Sequence, residues 1–389
     1  MGLLQFLVSF PQALVHVPFS LLRYILSPRF RPDKTWTFAQ AAKVRFLRAV
    51  IHLFSALQLR TPTPLDAGAE GDAWVRIRFQ DEWRTYLKGD LLTGEKEGVK
   101  AGDVGGTWYT QPTSSITPKP SPSSNDDSNL TILHFHGGAF VLGDGRAKAT
   151  AFLAQTLLAP FPASTRLLAP QYRLSTLPAS ADSNPFPAAL QDALASYLHL
   201  ILDCGIPPAN VILSGDSAGG NLAIALLRYL SDYGADLGLR GPGAALLWSP
   251  WIDPSLVSPS ILLANPNFAS DILPPPFVVW GSEAYCSPPS SSSALPKPRE
   301  NPYINAKISG FNTDTPLFVN VGGREVLCDD GTEWVDAMSR VTGNRVTLDV
   351  EAKAPHDVLL LGDQLGFEDV AARQCARAEK WVGAVRDGK

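Results

Sequence analysis

The chain has 389 residues, of which 45% are hydrophobic and 18% are charged, so it can bury a full core. This composition excludes a disordered chain, a collagen and a membrane protein with many spans. The 31 glycines and 33 prolines predict many turns and loops. The net charge of −4 argues against a nucleic-acid-binding protein.

The charge is divided unevenly along the chain. Residues 1–65 carry eight basic residues and one acidic residue, Asp33, which gives this segment +7 and leaves −11 on the remainder. A basic segment on an acidic body is typical of a protein that contacts an anionic membrane surface. We therefore expect a cytoplasmic protein in which residues 1–60 make peripheral membrane contact or pack over the body.

The first segment, Met1–Leu22, has no charged side chain and is long enough to span a bilayer, although Pro11 and Pro18 weaken that interpretation. It also lacks the basic start of a cleaved signal peptide. Three alternatives stay open: helices that cover a functional site, contact with a membrane surface, or a true span.

A second helix follows this segment. Thr37 and Gln40 have the spacing of a capping box. Apolar residues then recur at helical spacing, at Leu47, Val50, Ile51, Phe54 and Leu57. The opposite face carries Lys43, Arg48 and His52, and we expect it to face either solvent or phospholipid headgroups.

After Asp66 the pattern changes to short apolar runs that alternate with helical patterns. Trp74–Phe79 and Thr107–Thr110 are predicted to pair. Six buried strands are predicted at Thr131–Phe135, Arg166–Pro170, Val211–Ser214, Ala244–Trp248, Leu317–Val321 and Val346–Val350. Helices are predicted at Ala188–Leu202, Asn221–Tyr229, Glu333–Val341 and Ala371–Val385. The alternation predicts an α/β fold, with about eight strands in a mainly parallel central sheet flanked by helices.

Two stretches rich in serine and proline, Gln111–Asn129 and Cys286–Pro298, are predicted as loops. The four cysteines, Cys204, Cys286, Cys328 and Cys375, lack metal-binding spacing and are too few for a disulfide framework. We expect free thiols in a reducing compartment and no metal site.

The strongest local signal is Gly215-Asp216-Ser217-Ala218-Gly219, which lies between a predicted strand and a predicted helix. A serine on such a tight turn has strained backbone geometry, and only small residues fit two positions to either side. The turn exposes the hydroxyl at the carboxyl edge of the sheet and at a helix N-terminus, where the dipole favours negative charge. Ser217 is therefore the candidate nucleophile.

A second signal, His136-Gly137-Gly138-Ala139, follows the strand Thr131–Phe135. Adjacent glycines let backbone N–H groups point into a cleft, as the oxyanion of acyl transfer requires. A plain Gly-Gly turn is the alternative interpretation.

With these motifs, the sequence resembles the hormone-sensitive-lipase-like branch of the α/β-hydrolases, which includes bacterial family IV esterases and arylacetamide deacetylases. The resemblance covers roughly residues 100–389. It rests on His136-Gly137-Gly138, Tyr172-Arg173-Leu174, Phe186-Pro187-Ala188-Ala189 with Asp192, Gly215–Leu222, Ser249-Pro250-Trp251-Ile252-Asp253 and two C-terminal blocks. It implies an α/β-hydrolase with a helical cap and an oxyanion hole formed by the amides of Gly137, Gly138 and Ala218. Ala139 and Gln171 depart from the family pattern, which has a third glycine and an acid there.

A serine nucleophile needs a histidine base and a carboxylate that orients the histidine, and this fold supplies them in the order Ser, Asp/Glu, His. Of the six histidines, only His356 follows Ser217, in Ala354-Pro355-His356-Asp357. The family pattern after the strand Leu317–Val321 matches Glu325 as the acid. Asp329 is the alternative, although capping of the next helix, around Thr332–Met338, suits it better. Asp192 and Asp216 are expected to make structural hydrogen bonds.

The sequence therefore predicts a serine hydrolase of a small apolar carboxylic ester, with no metal or organic cofactor. Residues 1–70 form an N-terminal segment, and residues 71–389 form the hydrolase with a cap insertion at about 251–309. Acyl transfer, lactone chemistry or another tailoring step stays open, because the extended N-terminus resembles that of fungal members linked to secondary metabolism. A third alternative is a non-catalytic small-molecule receptor, which retention of Ser217, Glu325 and His356 disfavours. The pattern does not indicate an oligomeric state.

Overall fold

The computed structural model describes residues 17–112, 114, 119–120, 129–255, 258–290 and 293–388. Most of the uncharged segment Met1–Leu22 and most of the predicted loop Gln111–Asn129 lie outside these residues. The predictions made for those parts stay predictions.

Eight strands form the central sheet: β1 Trp74–Ile77, β2 Val104–Tyr109, β3 Thr131–Phe135, β4 Arg166–Gln171, β5 Val211–Asp216, β6 Ala244–Trp248, β7 Leu317–Gly322 and β8 Val346–Glu351. Their order is β1-β2-β4-β3-β5-β6-β7-β8. β2 pairs antiparallel with both β1 and β4, and the other neighbours are parallel. The predicted α/β fold with a mainly parallel sheet is confirmed.

Helices connect the strands. The first described one, α1, spans 17–26. The others are α2 Phe38–Leu57, α3 Gly89–Lys96, α4 Ala147–Leu158, α5 Ala188–Leu198, α6 Ser217–Leu237, α7 Pro259–Ala264, α8 Pro275–Cys286, α9 Cys328–Ser339, α10 Val358–Leu365 and α11 Glu368–Arg386. Short 3₁₀ helices occur at Pro28–Phe30, Gly68–Ala73, Asp81–Tyr86, Ala181–Ser183, Pro208–Asn210, Phe268–Ser270 and Pro298–Glu300. A π-helical turn, His199–Asp203, extends α5.

Buried side chains on the two faces of the sheet form two apolar clusters. Leu133 and Leu213 lie in a cluster with residues of α5 and α6, whereas Ile132 and Ile212 lie in a second cluster with residues of α4 and α11. Successive strand residues point to opposite faces, so a strand covered on both faces is apolar throughout. This explains why the central strands are continuous apolar runs in the sequence.

The N-terminal helix α2 packs against α8 and α10. It starts at the predicted capping box, in which the Thr37 and Gln40 side chains each bond the other residue's backbone N–H. No helix among the described residues is long and apolar enough to cross a bilayer.

The predicted basic face of α2 is only partly exposed: Lys43 is exposed, whereas Arg48 is buried. Arg48 is buried and donates hydrogen bonds from Nη2 to the carbonyl oxygens of Phe268 and Asp271. Its guanidinium also lies 4.4 Å from the ring centroid of Phe268. Burial lowers the pKa of Arg48 to about 10, against the opposing charge of Asp271, so the side chain remains a cation. For Arg48, both expected environments, solvent and phospholipid headgroups, are therefore wrong, because the side chain is buried and its Nη2 bonds two backbone carbonyls.

Replacement of this buried cation should destabilise the fold. Arg48→Met leaves two buried carbonyl oxygens without their charged donor, which we expect to cost about 2–4 kcal/mol of unfolding free energy. Urea denaturation measures the loss. Lys43→Met is the matched control, since Lys43 is exposed on the same helix and its replacement should change stability by less than about 0.5 kcal/mol. Equal midpoints and slopes for the two variants would contradict the expectation.

Candidate active site

The site lies at the carboxyl edge of the parallel strands. β5 ends at Asp216 directly before Ser217, and β7 ends at Gly322, three residues before Glu325. The loop that carries His356 follows β8. Because the carboxyl ends of parallel strands meet at one edge, residues far apart in sequence converge there.

Ser217 occupies a strained turn between β5 and α6, with a backbone φ of 50°. A Cβ atom at Gly219 would lie 1.9 Å from the carbonyl oxygen of Phe135, and one at Gly215 would lie 2.2 Å from that of Gly219. Both positions therefore need glycine, as the sequence pattern predicts. The turn places Ser217 at the first position of a 21-residue helix, whose N-terminal amides and dipole favour negative charge nearby.

The predicted base and acid lie next to Ser217. The His356 Nε2 atom lies 3.0 Å from Ser217 Oγ, and His356 Nδ1 lies 2.6 Å from Glu325 Oε2. Glu325 also accepts a hydrogen bond from the backbone N–H of Gly322 at 2.8 Å. The structure thus brings together all three residues of the predicted triad in one chain of hydrogen bonds.

The electrostatics of the pair follow from its burial. Burial alone lowers the pKa of His356, but the hydrogen bond and negative charge of Glu325 outweigh that effect and raise it above its usual range. Burial raises the pKa of Glu325, opposed by its hydrogen bond with His356. Glu325 can therefore hold the imidazole with its Nδ1–H toward the carboxylate and stabilise the imidazolium.

The alternative acid, Asp329, does not join this chain of hydrogen bonds. It is exposed, in the first turn of α9. That helix starts at Cys328, earlier than predicted, with Leu327 as its N-cap. Asp329 therefore lies inside the first turn rather than at the cap.

One predicted oxyanion-hole residue is corrected by the structure. The N–H of Gly137 donates to Asp216 Oδ2 at 2.7 Å, so it is not available to an oxyanion. A Cβ atom at Gly137 would lie 2.3 Å from the same oxygen. Gly137 is therefore a glycine because the loop approaches the Asp216 side chain closely, and its predicted role in the oxyanion hole is wrong.

The next amides along the loop remain open. Among the described residues, the N–H groups of Gly138 and Ala139 find no protein acceptor, whereas Gly138 accepts at its carbonyl from Val141 and Leu142. Gly138 and Ala139 have φ values of 111° and 53°, which turn the loop at this point. Ala139 departs from the family pattern in its side chain, and the role of its amide could not be predicted, because a sequence motif does not record which N–H is free.

Asp216 links the nucleophile turn to the neighbouring strand. Besides the Gly137 N–H, it contacts His134 Nε2 through Oδ1 at 2.9 Å, and its side chain is hydrogen-bonded to that of Asp357. Asp216 thus makes three structural contacts, with His134, Gly137 and Asp357. The contact of Asp357 with Asp216 could not be predicted, since adjacency to His356 in the sequence does not show where the Asp357 side chain points.

The pocket beside Ser217 is small and apolar. It is lined by Ala139, Ser217, Trp251, Leu273, Phe277, Val278 and Leu327, and the space open to water in it is about 10 Å³. That is close to the space needed by one water molecule. α8 lies directly on the loop that carries Gly138 and Ala139, since a Cβ atom at Gly281 would lie 2.5 Å from the Ala139 carbonyl oxygen.

The N-terminal segment contacts the residues next to the acid and the base. Asp33 Oδ2 accepts from Arg324 Nε at 2.7 Å, and the Trp36 indole donates to the Lys353 carbonyl at 2.8 Å. Arg48 holds the segment that leads to the pocket residue Leu273. Residues 33–48 therefore support the loops of the site from outside.

The four cysteines are free thiols, as predicted. Among the described residues, no group of three or more histidine, cysteine, aspartate or glutamate side chains could hold a metal ion. The site brings together a hydroxyl, an imidazole and a carboxylate.

Comparison with known proteins identifies the family. A family model described as the alpha/beta hydrolase fold matches residues 132–360. An acetyl-hydrolase of Streptomyces hygroscopicus is 32% identical over 200 residues, which are 51% of this chain and 58% of that protein. Human hormone-sensitive lipase is 32% identical over 143 residues, which are 35% of this chain and 12% of the lipase. The chain belongs to the alpha/beta-hydrolase family, and these relatives support the predicted hormone-sensitive-lipase-like branch.

A solved structure shows the same fold over most of the chain. An esterase from the bacterial hormone-sensitive lipase family matches with a TM-score of 0.59 and 21% identity, covering 90% of this chain and 99% of the other. The matched part of the Streptomyces protein is only 58% of its length. The fold is therefore shared over a longer part of the chain than the sequence similarity is.

Proposed function

We propose that this protein hydrolyses carboxylic esters through an acyl-enzyme. The observation that carries the proposal is the hydrogen-bonded series from Ser217 Oγ through His356 to Glu325. A serine hydroxyl is a weak nucleophile until a base takes its proton, and this series supplies the base and its orienting acid. The curated relatives named acetyl-hydrolase and hormone-sensitive lipase are consistent with it.

In the first half-reaction, Ser217 Oγ attacks the ester carbonyl carbon while its proton passes to His356 Nε2. The carbonyl oxygen becomes an oxyanion, which accepts hydrogen bonds from the amides of Gly138, Ala139 and Ala218. Preorganised donors of this kind are worth about 3–4 kcal/mol each in the transition state. His356 then returns the proton to the alcohol oxygen as the C–O bond breaks, and the alcohol leaves.

In the second half-reaction, water gives a proton to His356 and attacks the acyl-enzyme. The tetrahedral intermediate collapses, Ser217 recovers its proton from His356, and the carboxylic acid leaves. Glu325 stays ionised throughout and stabilises the imidazolium. The triad and water supply every group that this reaction needs, so it requires no metal or organic cofactor.

The substrate we propose is an uncharged ester with a small apolar acyl group. The pocket at Ser217 is lined by apolar side chains of Leu273, Phe277 and Val278. A charged group placed there would lose its hydration without gaining a partner, which is costly. The limited space favours short acyl chains.

An alcohol can replace water in the second half-reaction, and acyl transfer is therefore the alternative function. The apolar pocket favours it, because an apolar alcohol binds such a surface better than water does. A tailoring step in secondary metabolism, as suggested by the resemblance of the N-terminus to fungal proteins, would use this variant of the reaction.

A serine variant tests the chemistry. Ser217→Ala should abolish both the cleavage of p-nitrophenyl acetate and labelling by a fluorophosphonate, since it removes the hydroxyl that is hydrogen-bonded to His356 Nε2. The wild-type protein should cleave acetate faster than octanoate esters. Product analysis with a competing alcohol separates the two functions: a new ester supports transfer, and acid alone supports hydrolysis. Labelling that survives in Ser217→Ala would reject the assignment, and ligand binding without labelling of the wild type would indicate a receptor.

The pH profile should report the His356–Glu325 pair. His356 must be neutral to accept a proton, so kcat/KM should rise with pH through an apparent pKa above the ordinary value of about 6.5. Glu325→Gln removes the charge that raises this pKa, which moves the midpoint to lower pH. It also lowers kcat on the order of 10³–10⁴-fold, because the wrong imidazole tautomer is favoured.

The matched control for this profile is Asp329→Asn, which removes one exposed carboxylate charge four residues after Glu325, in the first turn of α9. It should retain the wild-type midpoint and kcat. If Asp329→Asn reproduced the effect of Glu325→Gln, Asp329 would be the acid and the assignment of Glu325 would fail.

We also propose that the N-terminal segment contacts an anionic membrane surface. Large apolar side chains are exposed along it, at Phe19, Leu22, Ile25, Leu26, Phe30 and Phe46. Exposed basic residues lie among them, at Arg23, Arg29, Lys34 and Lys43. Apolar side chains with interspersed basic residues are the composition of interfacial helices.

Vesicle co-sedimentation tests this contact. The double variant Ile25→Glu/Leu26→Glu should lose most of its binding to vesicles that contain phosphatidylserine, because two negative charges would have to enter the membrane interface. Leu202→Glu is the control, since Leu202 is an exposed apolar residue outside the N-terminal segment. Binding that is absent in the wild type, or equal in both variants, would reject the membrane contact.

A further inference from the structure

Two buried carboxyl groups flank the triad in the sequence and meet in the structure. Asp216 precedes Ser217, Asp357 follows His356, and their exposed fractions are 0% and 3%. Their side chains are hydrogen-bonded to each other. Two carboxylates cannot share a hydrogen bond unless one of them carries a proton.

The remaining contacts decide which group is protonated. The Trp248 indole N–H donates to Ser214 Oγ at 3.1 Å, so the Ser214 hydroxyl proton is free to donate to His134 Nδ1, 3.0 Å away. A neutral His134 then carries its proton on Nε2 and donates it to Asp216 Oδ1 at 2.9 Å. Burial lowers the pKa of His134 to about 3, which keeps it neutral.

Asp216 is therefore an acceptor on every side. It accepts hydrogen bonds from His134 and from the Gly137 N–H, and the Asp357 side chain is its third hydrogen-bond partner. An ionised carboxylate suits three donors, and a protonated one does not. The pKa directions agree with this arrangement: burial raises the pKa of Asp216 to about 6, and burial together with the charge of Asp216 raises the pKa of Asp357 well above its usual range.

Asp357 also makes hydrogen bonds that hold the backbone around His356. Its Oδ1 accepts from the backbone N–H of Leu360 at 3.2 Å as the N-cap of α10, and its own N–H donates to Ser249 Oγ at 3.3 Å. Its φ of 55° holds the turn directly after His356. The Asp357 side chain thus connects the loop that carries His356 with the turn that carries Ser217 and, through Asp216, with the Gly137 amide.

We propose that Asp357 is a positioning residue that acts as a neutral carboxylic acid: it donates its proton to Asp216 and so holds the His356 loop against the turn that carries Ser217. The proton is shared within the pair and is not consumed in the reaction. This inference rests on the proposed hydrolase function for its kinetic test, but the protonation state can be tested without it.

Other titratable groups around the pair must be considered in any pH experiment. His134 and Tyr172 interact electrostatically with the pair from β3 and from the end of β4, and His356, Glu325 and Asp271 lie on the triad side. Of these, His356 sets the rise of kcat/KM with pH. The charge of Asp357 would act directly on His356, so the position of that rise reports whether Asp357 is charged.

Four variants separate the possibilities. Asp357→Asn keeps a donor and exchanges one neutral group for another, so the midpoint of the pH rise should stay at the wild-type value. Asp216→Asn removes an ionised carboxylate and should lower it. Asp357→Leu removes the donor. Its kcat, normalised to the concentration of active sites, should be about tenfold or more below that of Asp357→Asn, because a small displacement of His356 from Ser217 is costly in catalysis. Asp363→Asn, an exposed acid in α10, is the control and should match the wild type.

Infrared difference spectroscopy tests the proton directly. At about pH 8 the wild type minus Asp357→Asn spectrum should contain the carbonyl band of a protonated carboxylic acid, and the difference with Asp363→Asn should not. This measurement stays decisive if Asp357→Leu does not fold or if the protein hydrolyses no ester. A missing band, a midpoint lowered by Asp357→Asn, or equal kcat in Asp357→Leu and Asp357→Asn would overturn the proposal.

Discussion

The backbone of Ser217 is the constraint on which the site depends. A non-glycine residue at a φ of 50° costs on the order of 1–3 kcal/mol, and it persists only where the surroundings determine it. Here β3 passes so close to the turn that Gly219 would place a Cβ 1.9 Å from the Phe135 carbonyl. The parallel pairing of β3 with β5 therefore fixes the nucleophile, and the apolar cover on both faces of the sheet fixes that pairing.

The triad could be predicted from the sequence because its requirements are written in residue types and in chain order. Ser217 needs small neighbours, His356 is the one histidine after it, and Glu325 fits one position of a known pattern. The limits of the central strands β3 to β7 were close because a strand buried on both faces is an apolar run, whereas β8, predicted as a buried strand, is only half-buried. The helix after Ser217 begins four residues earlier than predicted, because the turn residues themselves take part in its first turn.

Other features could not be predicted, because they depend on which backbone groups meet across the fold. Gly137 was expected to stabilise an oxyanion, yet its N–H belongs to Asp216. Arg48 lies on a face that looks solvated by its periodicity, but the segment 268–271 covers that face. In both cases the partner is remote in sequence, 79 residues away for Gly137 and more than 200 for Arg48. Helical periodicity describes one element alone and cannot show what packs on it.

One basic residue of the N-terminal segment, Arg48, is connected to the pocket at Ser217. Arg48 bonds the carbonyls of Phe268 and Asp271, and Leu273, two residues on, lines the pocket at Ser217. The described pocket at Ser217 has space for about one water molecule, so movement of the Leu273, Phe277 or Val278 side chains would enlarge it. α8 carries two of these three residues and packs on α2. Any such movement is therefore mechanically coupled to the N-terminal helix, whose basic residues are divided between an internal bond and the surface.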